Sequence, residues 1–134
     1  MGIKSKLQSE FDYGIVDEFL DHYSLMTELI EPLVVGLTSE RTFHKNLDEL
    51  FKIFHNIKSA TEYLQIESIG RLSLFVEDFL GQLKMKGKIL NDDATAWMIK
   101  ISDMFARWND DFENDSELSK IPFELLVLPD LEKY

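Results

Sequence analysis

Residues 43–64 read FHKNLDELFKIFHNIKSATEYL, and the spacing of their apolar positions decides the fold. Phe43, Leu47, Leu50, Phe54, Ile57, Thr61 and Leu64 recur at alternating steps of four and three. On a helix with 3.6 residues per turn, that pattern draws a single stripe down one side. The spacing predicts a helix from about Glu40 to Leu64 whose stripe faces a core.

The same period recurs on both sides of this segment. Upstream, from about Ser9 to Val35, Phe11, Ile15, Phe19, Met26, Leu29, Ile30 and Leu33 are the expected inward positions of a first helix. Pro32 lacks an N–H and should end or kink that helix near Glu31, Gly36 is a plausible stop, and Thr38 or Ser39 could cap the next helix. Downstream, a third helix should start near Glu67 or Ser68 and carry Ile69, Leu72, Val76, Phe79 and Leu83. Gly87 should stop it, with Lys84, Lys86 and Lys88 near its negative end. Asn91 is a good N-cap for a fourth helix, with Asp92 and Asp93 in its first turn. Its inward positions are Ala94, Trp97, Met98, Ile101, Met104, Phe105, Trp108 and Phe112, and it should fade near Asn114. Four helices with short joints favour an all-α, antiparallel up-down four-helix bundle over about residues 9–114. Residues 115–134 form a C-terminal extension in which Pro122 and Pro129 break periodicity. Leu125 to Leu128 are apolar enough to pack on the bundle, with room for a short fifth helix.

Composition agrees with a single domain over residues 1–134. The chain is 45% hydrophobic, with ten Phe, two Trp, only six Gly and three Pro, so elements should be few and long. Lys and Arg number 14 against 25 Asp and Glu, a net charge of −11. That surface repels phosphate backbones and anionic lipid, which argues against nucleic-acid and membrane partners and leaves open a protein partner with a basic rim. With no cysteine there is no disulfide framework and no thiolate metal site. The first ten residues lack an apolar signal core, and no run of about 18 apolar residues exists. A cytoplasmic location is the expectation.

His55 stands apart from the other histidines. It lies one position past Phe54, about 100° off the core stripe. Its own row reads His44, Asp48, Phe51, His55, Lys58, Glu62, a mostly polar flank. The imidazole should therefore be reachable while the stripe holds its backbone. Lys58 is one turn on, where a cation could hold a phosphoryl group. Phe51, one turn before, offers an apolar docking spot. His44 lies about three turns away, too far to share a metal ion with His55, and His22 has no partner pattern. The acidic run Asp110 to Asp115 lacks calcium-loop spacing and reads as a solvated, fraying helix end. No metal site is expected.

The stretch His55-Asn56-Ile57-Lys58-Ser59-Ala60 resembles the His-x-x-Lys-Gly motif of histidine-containing phosphotransfer domains. The likeness continues through Tyr63-Leu64-Gln65-Ile66 and Leu72 to Leu80, and is strongest to the N-terminal phosphoryl-accepting domain of chemotaxis-type histidine kinases. It covers roughly Phe11 to Phe112. Ser59 replaces the usual Gly, and Gln65 stands where a turn Gly is common. The resemblance implies that His55 is the phospho-accepting nucleophile, that Glu77 orients its ring, and that Lys58 offsets phosphoryl charge. Phe51, Ser59 and Glu62 would flank the docking partner, a histidine kinase catalytic domain or a receiver domain. It implies a monomer with no cofactor, magnesium residing on the partner, and no autonomous kinase activity. Read singly, Lys58 could be a solvated residue, Glu77 could pair with Arg71 or Lys84, and Phe51 could be covered by the neighbouring helix. Two other functions remain open on these residues. One is a degenerate domain that binds a kinase or receiver without transfer. The other is a bundle with a purely structural role, such as oligomerisation, which a buried, unreachable His55 would favour.

Overall fold

The computed structural model describes residues 2–131. They form five α-helices and one 3-10 turn, with no strand among the described residues. The helices are α1 (Ile3–Glu10), α2 (Tyr13–Gly36), α3 (Phe43–Tyr63), α4 (Glu67–Lys86) and α5 (Asp92–Glu113). The 3-10 turn spans Phe123–Leu126.

Three helix ends follow directly from local chemistry. Asn91 caps α5, its Oδ1 accepting from the Ala94 N–H at 2.7 Å, with Asp92 and Asp93 against the positive end. Gly87 ends α4 at φ +68°, where its N–H reaches Leu83 O at 3.0 Å. Asp12 caps α2, its Oδ1 accepting from Gly14 N at 2.8 Å and Ile15 N at 3.3 Å.

That Asp12 cap corrects the expected first helix. The pattern from Ser9 is broken by two non-helical residues, Phe11 and Asp12, and a separate helix, α1, precedes them. The fifth helix thus lies near the N-terminus, and among the described residues of the tail there is a 3-10 turn and no α-helix. Pro32 does not end α2, which runs on to Gly36. Ile30 and Val34, on either side of Pro32, are fully buried, so tertiary packing outweighs the lost hydrogen bond. Neither Thr38 nor Ser39 caps α3; Thr42 occupies that position, with its hydroxyl donating to Gly36 O at 2.7 Å.

The inward stripes expected of α3, α4 and α5 are all buried, as are Val16, Phe19, Tyr23, Thr27, Ile30 and Val34 of α2. On α2 the true inward face is rotated from the expected one: Ile15 and Leu29 face solvent, while Val16, Tyr23 and Val34 are enclosed. Helix α2 packs on α3 and α5, and α3 packs on α4. Between α4 and α5 the rings of Phe75, Phe79 and Trp97 meet, with Phe79 and Trp97 centroids 4.8 Å apart. Phe54 of α3 stands edge-on to Phe105 of α5 at 5.2 Å, and Tyr23 of α2 edge-on to Phe112 of α5 at 5.3 Å.

Described segments near both ends of the chain are pinned to α5. Leu125 is buried, its carbonyl accepting from the Trp97 indole at 3.1 Å, and Ser119 O accepts from the Trp108 indole at 2.8 Å. The acidic end of α5, read from sequence as fraying, is instead a junction. Asp111 Oδ2 accepts from Ser119 N at 2.7 Å. Asp115 takes both the amide (2.9 Å) and the hydroxyl of Ser5 on α1. Among the described residues, no helix is long and apolar enough to cross a membrane.

Candidate functional site

The α3 stripe turns Leu50, Phe54 and Ile57 into the core and so rotates His55 outward beside α4. Its side chain is 61% exposed. A reachable imidazole on a helix whose inner face is fully packed is a fixed, presented group. The enclosed His55 that would favour a purely structural bundle is not what the fold builds.

Helix α4 brings Glu77 against it. Glu77 Oε1 lies 3.3 Å from His55 Nδ1, and Oε2 lies 3.5 Å from the Lys58 ammonium. The carboxylate is only 14% exposed and Lys58 only 19%. One largely buried carboxylate is thus shared by an imidazole and an ammonium. The neutralising cation keeps a charged Glu77 tolerable at that depth. Oε1 is buried and receives no aligned hydrogen bond, although the imidazole nitrogen stands within reach. A modest rotation of the exposed ring would direct an Nδ1–H at this oxygen and leave Nε2 facing solvent.

Of the sequence-predicted residues, His55, Lys58 and Glu77 come together, but Lys58 does not lie as free as the motif implied. Its charge is directed to Glu77, and the alternative partners of Glu77 are not used: Arg71 pairs with Glu67 at 3.4 Å. Phe51, the expected docking spot, keeps part of its side chain at the surface. It is half-buried, and its ring lies 3.8 Å from the position a Cβ would take on Gly81 of α4. Ser59 and Glu62 are exposed on the flank that also carries His55. His22 and His44 are exposed on other turns, and among the described residues no group of three His, Asp or Glu could hold a metal ion.

The α3–α4 joint sets how these helices meet. Thr61, fully buried, donates to Ile57 O at 2.7 Å, and a Cβ on Gly70 would lie 3.2 Å from its hydroxyl. Only a glycine allows this approach without a shift. Gln65 takes the left-handed φ of +59° in the turn, which explains why a glycine suits that place. Beyond the turn, Glu62, Gln65, Arg71 and Leu74 border an open groove of about 600 Å³. Sequence reasoning missed this groove and the Lys58–Glu77 pair, because both depend on how α3 and α4 face each other.

No family model, curated protein or solved structure matches this chain.

Proposed function

We propose that this chain is a histidine phosphotransfer protein of a two-component phosphorelay, with His55 as the phosphoryl acceptor. The observation that carries the reading is the presented imidazole with Glu77 at its Nδ1 and Lys58 behind Glu77. In this reading α2 to α5 form an antiparallel, up-down four-helix bundle of the phosphotransfer type. The short joints at 64–66 and 87–91 and the packing of α2 on α3 and α5, and of α3 on α4, support it.

The chemistry follows from the ring's two nitrogens. A carboxylate at Nδ1 favours the tautomer with its proton there, leaving the Nε2 lone pair free. Nε2 attacks phosphorus, a P–N bond forms, and the P–O bond to the donor breaks. The electron pair leaves with the donor oxygen, an aspartyl carboxylate of a receiver or the β-phosphate oxygen of ATP on a kinase domain. The ring becomes cationic, and Glu77 stabilises it through the retained Nδ1–H. Reversal with a receiver aspartate passes the group on. Magnesium and the acidic pocket that holds it belong to the partner, and the protein's share is positioning and charge. Net −11 supports a protein partner rather than nucleic acid. The chain acts in this reading as a cytoplasmic monomer, like the phosphoryl-accepting domain of chemotaxis-type kinases.

The test is labelling from a panel of kinase cores with ATP and of phosphorylated receivers. Wild type should acquire an acid-labile, alkali-stable phosphoryl group. His55→Gln should acquire none while keeping its fold, because an exposed side chain contributes within about 0.5 kcal/mol of stability. Label retained by His55→Gln would sink the proposal. A wild type that binds one of the panel yet never takes label would identify a degenerate docking domain.

A further inference from the structure

Much of the net negative charge of this protein falls on one stretch of the chain that includes α2. Residues 7–40 contain no Lys or Arg and eight acids (Glu10, Asp12, Asp17, Glu18, Asp21, Glu28, Glu31, Glu40), −8 of the total −11. Most of them lie on α2, and α2 also carries apolar side chains that the fold does not bury. Leu25 is 63% exposed and Leu29 53%, with Met26 and Leu33 only half-covered beside them.

These features are arranged rather than scattered. At 100° per residue, Leu25, Met26, Leu29, Pro32 and Leu33 fall within about 120° of the helix circumference, away from Tyr23, Thr27 and Ile30. One edge of this ridge runs towards α3, where Asn46 Nδ2 donates to Leu33 O at 3.3 Å. The other edge carries Asp17, Asp21, Glu28 and Glu31, on the side where Ser24 meets Asn109 of α5 at 3.5 Å. Single exposed leucines are ordinary, but a contiguous apolar ridge with a rim of one sign marks an interface.

We infer that the outer face of α2 docks a protein partner through an amphipathic helix with an apolar ridge and Lys or Arg along one flank. Charge complementarity selects this occupant. A second copy of the chain would set acidic rims of the same sign against each other, and anionic lipid would be repelled by them. His55 lies beside α4, on the flank of α3 that faces Glu77, whereas α2 packs on α3 and α5. A partner held on α2 therefore leaves the imidazole open. This surface does not depend on the phosphotransfer reading and would stand if that reading fell.

The test uses the full chain, labelled for amide NMR, and a synthetic peptide of about 18 residues with Leu at i, i+3, i+4 and i+7 and Lys along one flank. A second peptide of the same composition, scrambled to destroy the ridge, controls for attraction to net charge. The ordered peptide should shift amides of residues 25–36 and bind at least about tenfold tighter than the scrambled one. The exposed-site double variant Leu25→Gln/Leu29→Gln should remove that preference without changing the thermal melt. Equal binding of the two peptides, shifts centred on the α3–α4 groove, or undiminished preference in the double variant would overturn the inference. So would a dimer in sedimentation that the double variant converts to monomer.

Discussion

Lys58 shows how a single residue's role depends on depth. At 19% exposure its ammonium is committed to Glu77, a carboxylate with 14% exposure. Removing one partner of such a pair leaves a mostly desolvated charge, which costs more than the pair itself contributes. Lys58→Met should therefore lower stability by about 1–3 kcal/mol in denaturant melts. Adding Glu77→Gln to that variant should return much of the loss. A double variant no better than Lys58→Met would show that the pair is not the source of the effect. In phosphotransfer terms, the same lysine can offset phosphoryl charge only by sharing itself with Glu77. Under the proposed phosphotransfer reading, Glu77→Gln should slow transfer more than it alters binding of the donor.

At the scale of elements, the joints determine how well α3 presents His55. Gln65 holds a left-handed φ of +59° between α3 and α4, a conformation that costs an L-residue about 1 kcal/mol relative to Gly. Gln65→Gly should raise stability by up to about 1 kcal/mol, partly offset by the looser unfolded chain, as read by the denaturation midpoint at unchanged slope. A loss of stability would mean that the Gln side chain contributes contacts of its own. Helix α2 illustrates the opposite case. Its sequence pattern is compatible with two faces, since Ile15, Met26, Leu29 and Leu33 also make a helical stripe. Phe112 of α5, whose ring meets Phe19 at 5.6 Å and Tyr23 at 5.3 Å, selects the face bearing Val16, Tyr23 and Val34.

On the scale of the whole molecule, α1 docks on the C-terminal end of α5, and Asp115 is the carboxylate that joins them, while the C-terminal segment runs back along α5 until Asn91 Nδ2 donates to Asp130 O at 2.9 Å. The side-chain hydrogen bond from Ser5, followed by the Ser5 amide, holds the Asp115 carboxyl below the usual range. A carboxyl lowered in the folded state lends stability above its unfolded value, about 3.9, and that stability fades as pH falls through the folded value. Docking of α1 should therefore weaken below about pH 4, with the Ser5 amide resonance moving through the transition. Asp115→Asn should flatten that pH response, and an unchanged response would assign it to another group. Tyr23 gives a second marker of the core: burial, reinforced by Asp111, pushes its phenol well above the usual value while it donates to Phe105 O at 2.9 Å.

What the linear chain determined was everything set by local periodicity and capping: helical class, the inward stripes of α3, α4 and α5, and the ends at Gly87 and Asn91. It also placed His55 off the packed stripe, since one step past Phe54 on a helix is about 100° of rotation. Tertiary structure decided the rest, because it depends on what lies across a gap. It chose the buried face of α2, carried that helix through Pro32, and turned the acidic end of α5 into a junction. It also set Glu77 between an imidazole and an ammonium drawn from another helix. Those distances arise only when α3 and α4 pack, and no spacing along one chain segment contains them.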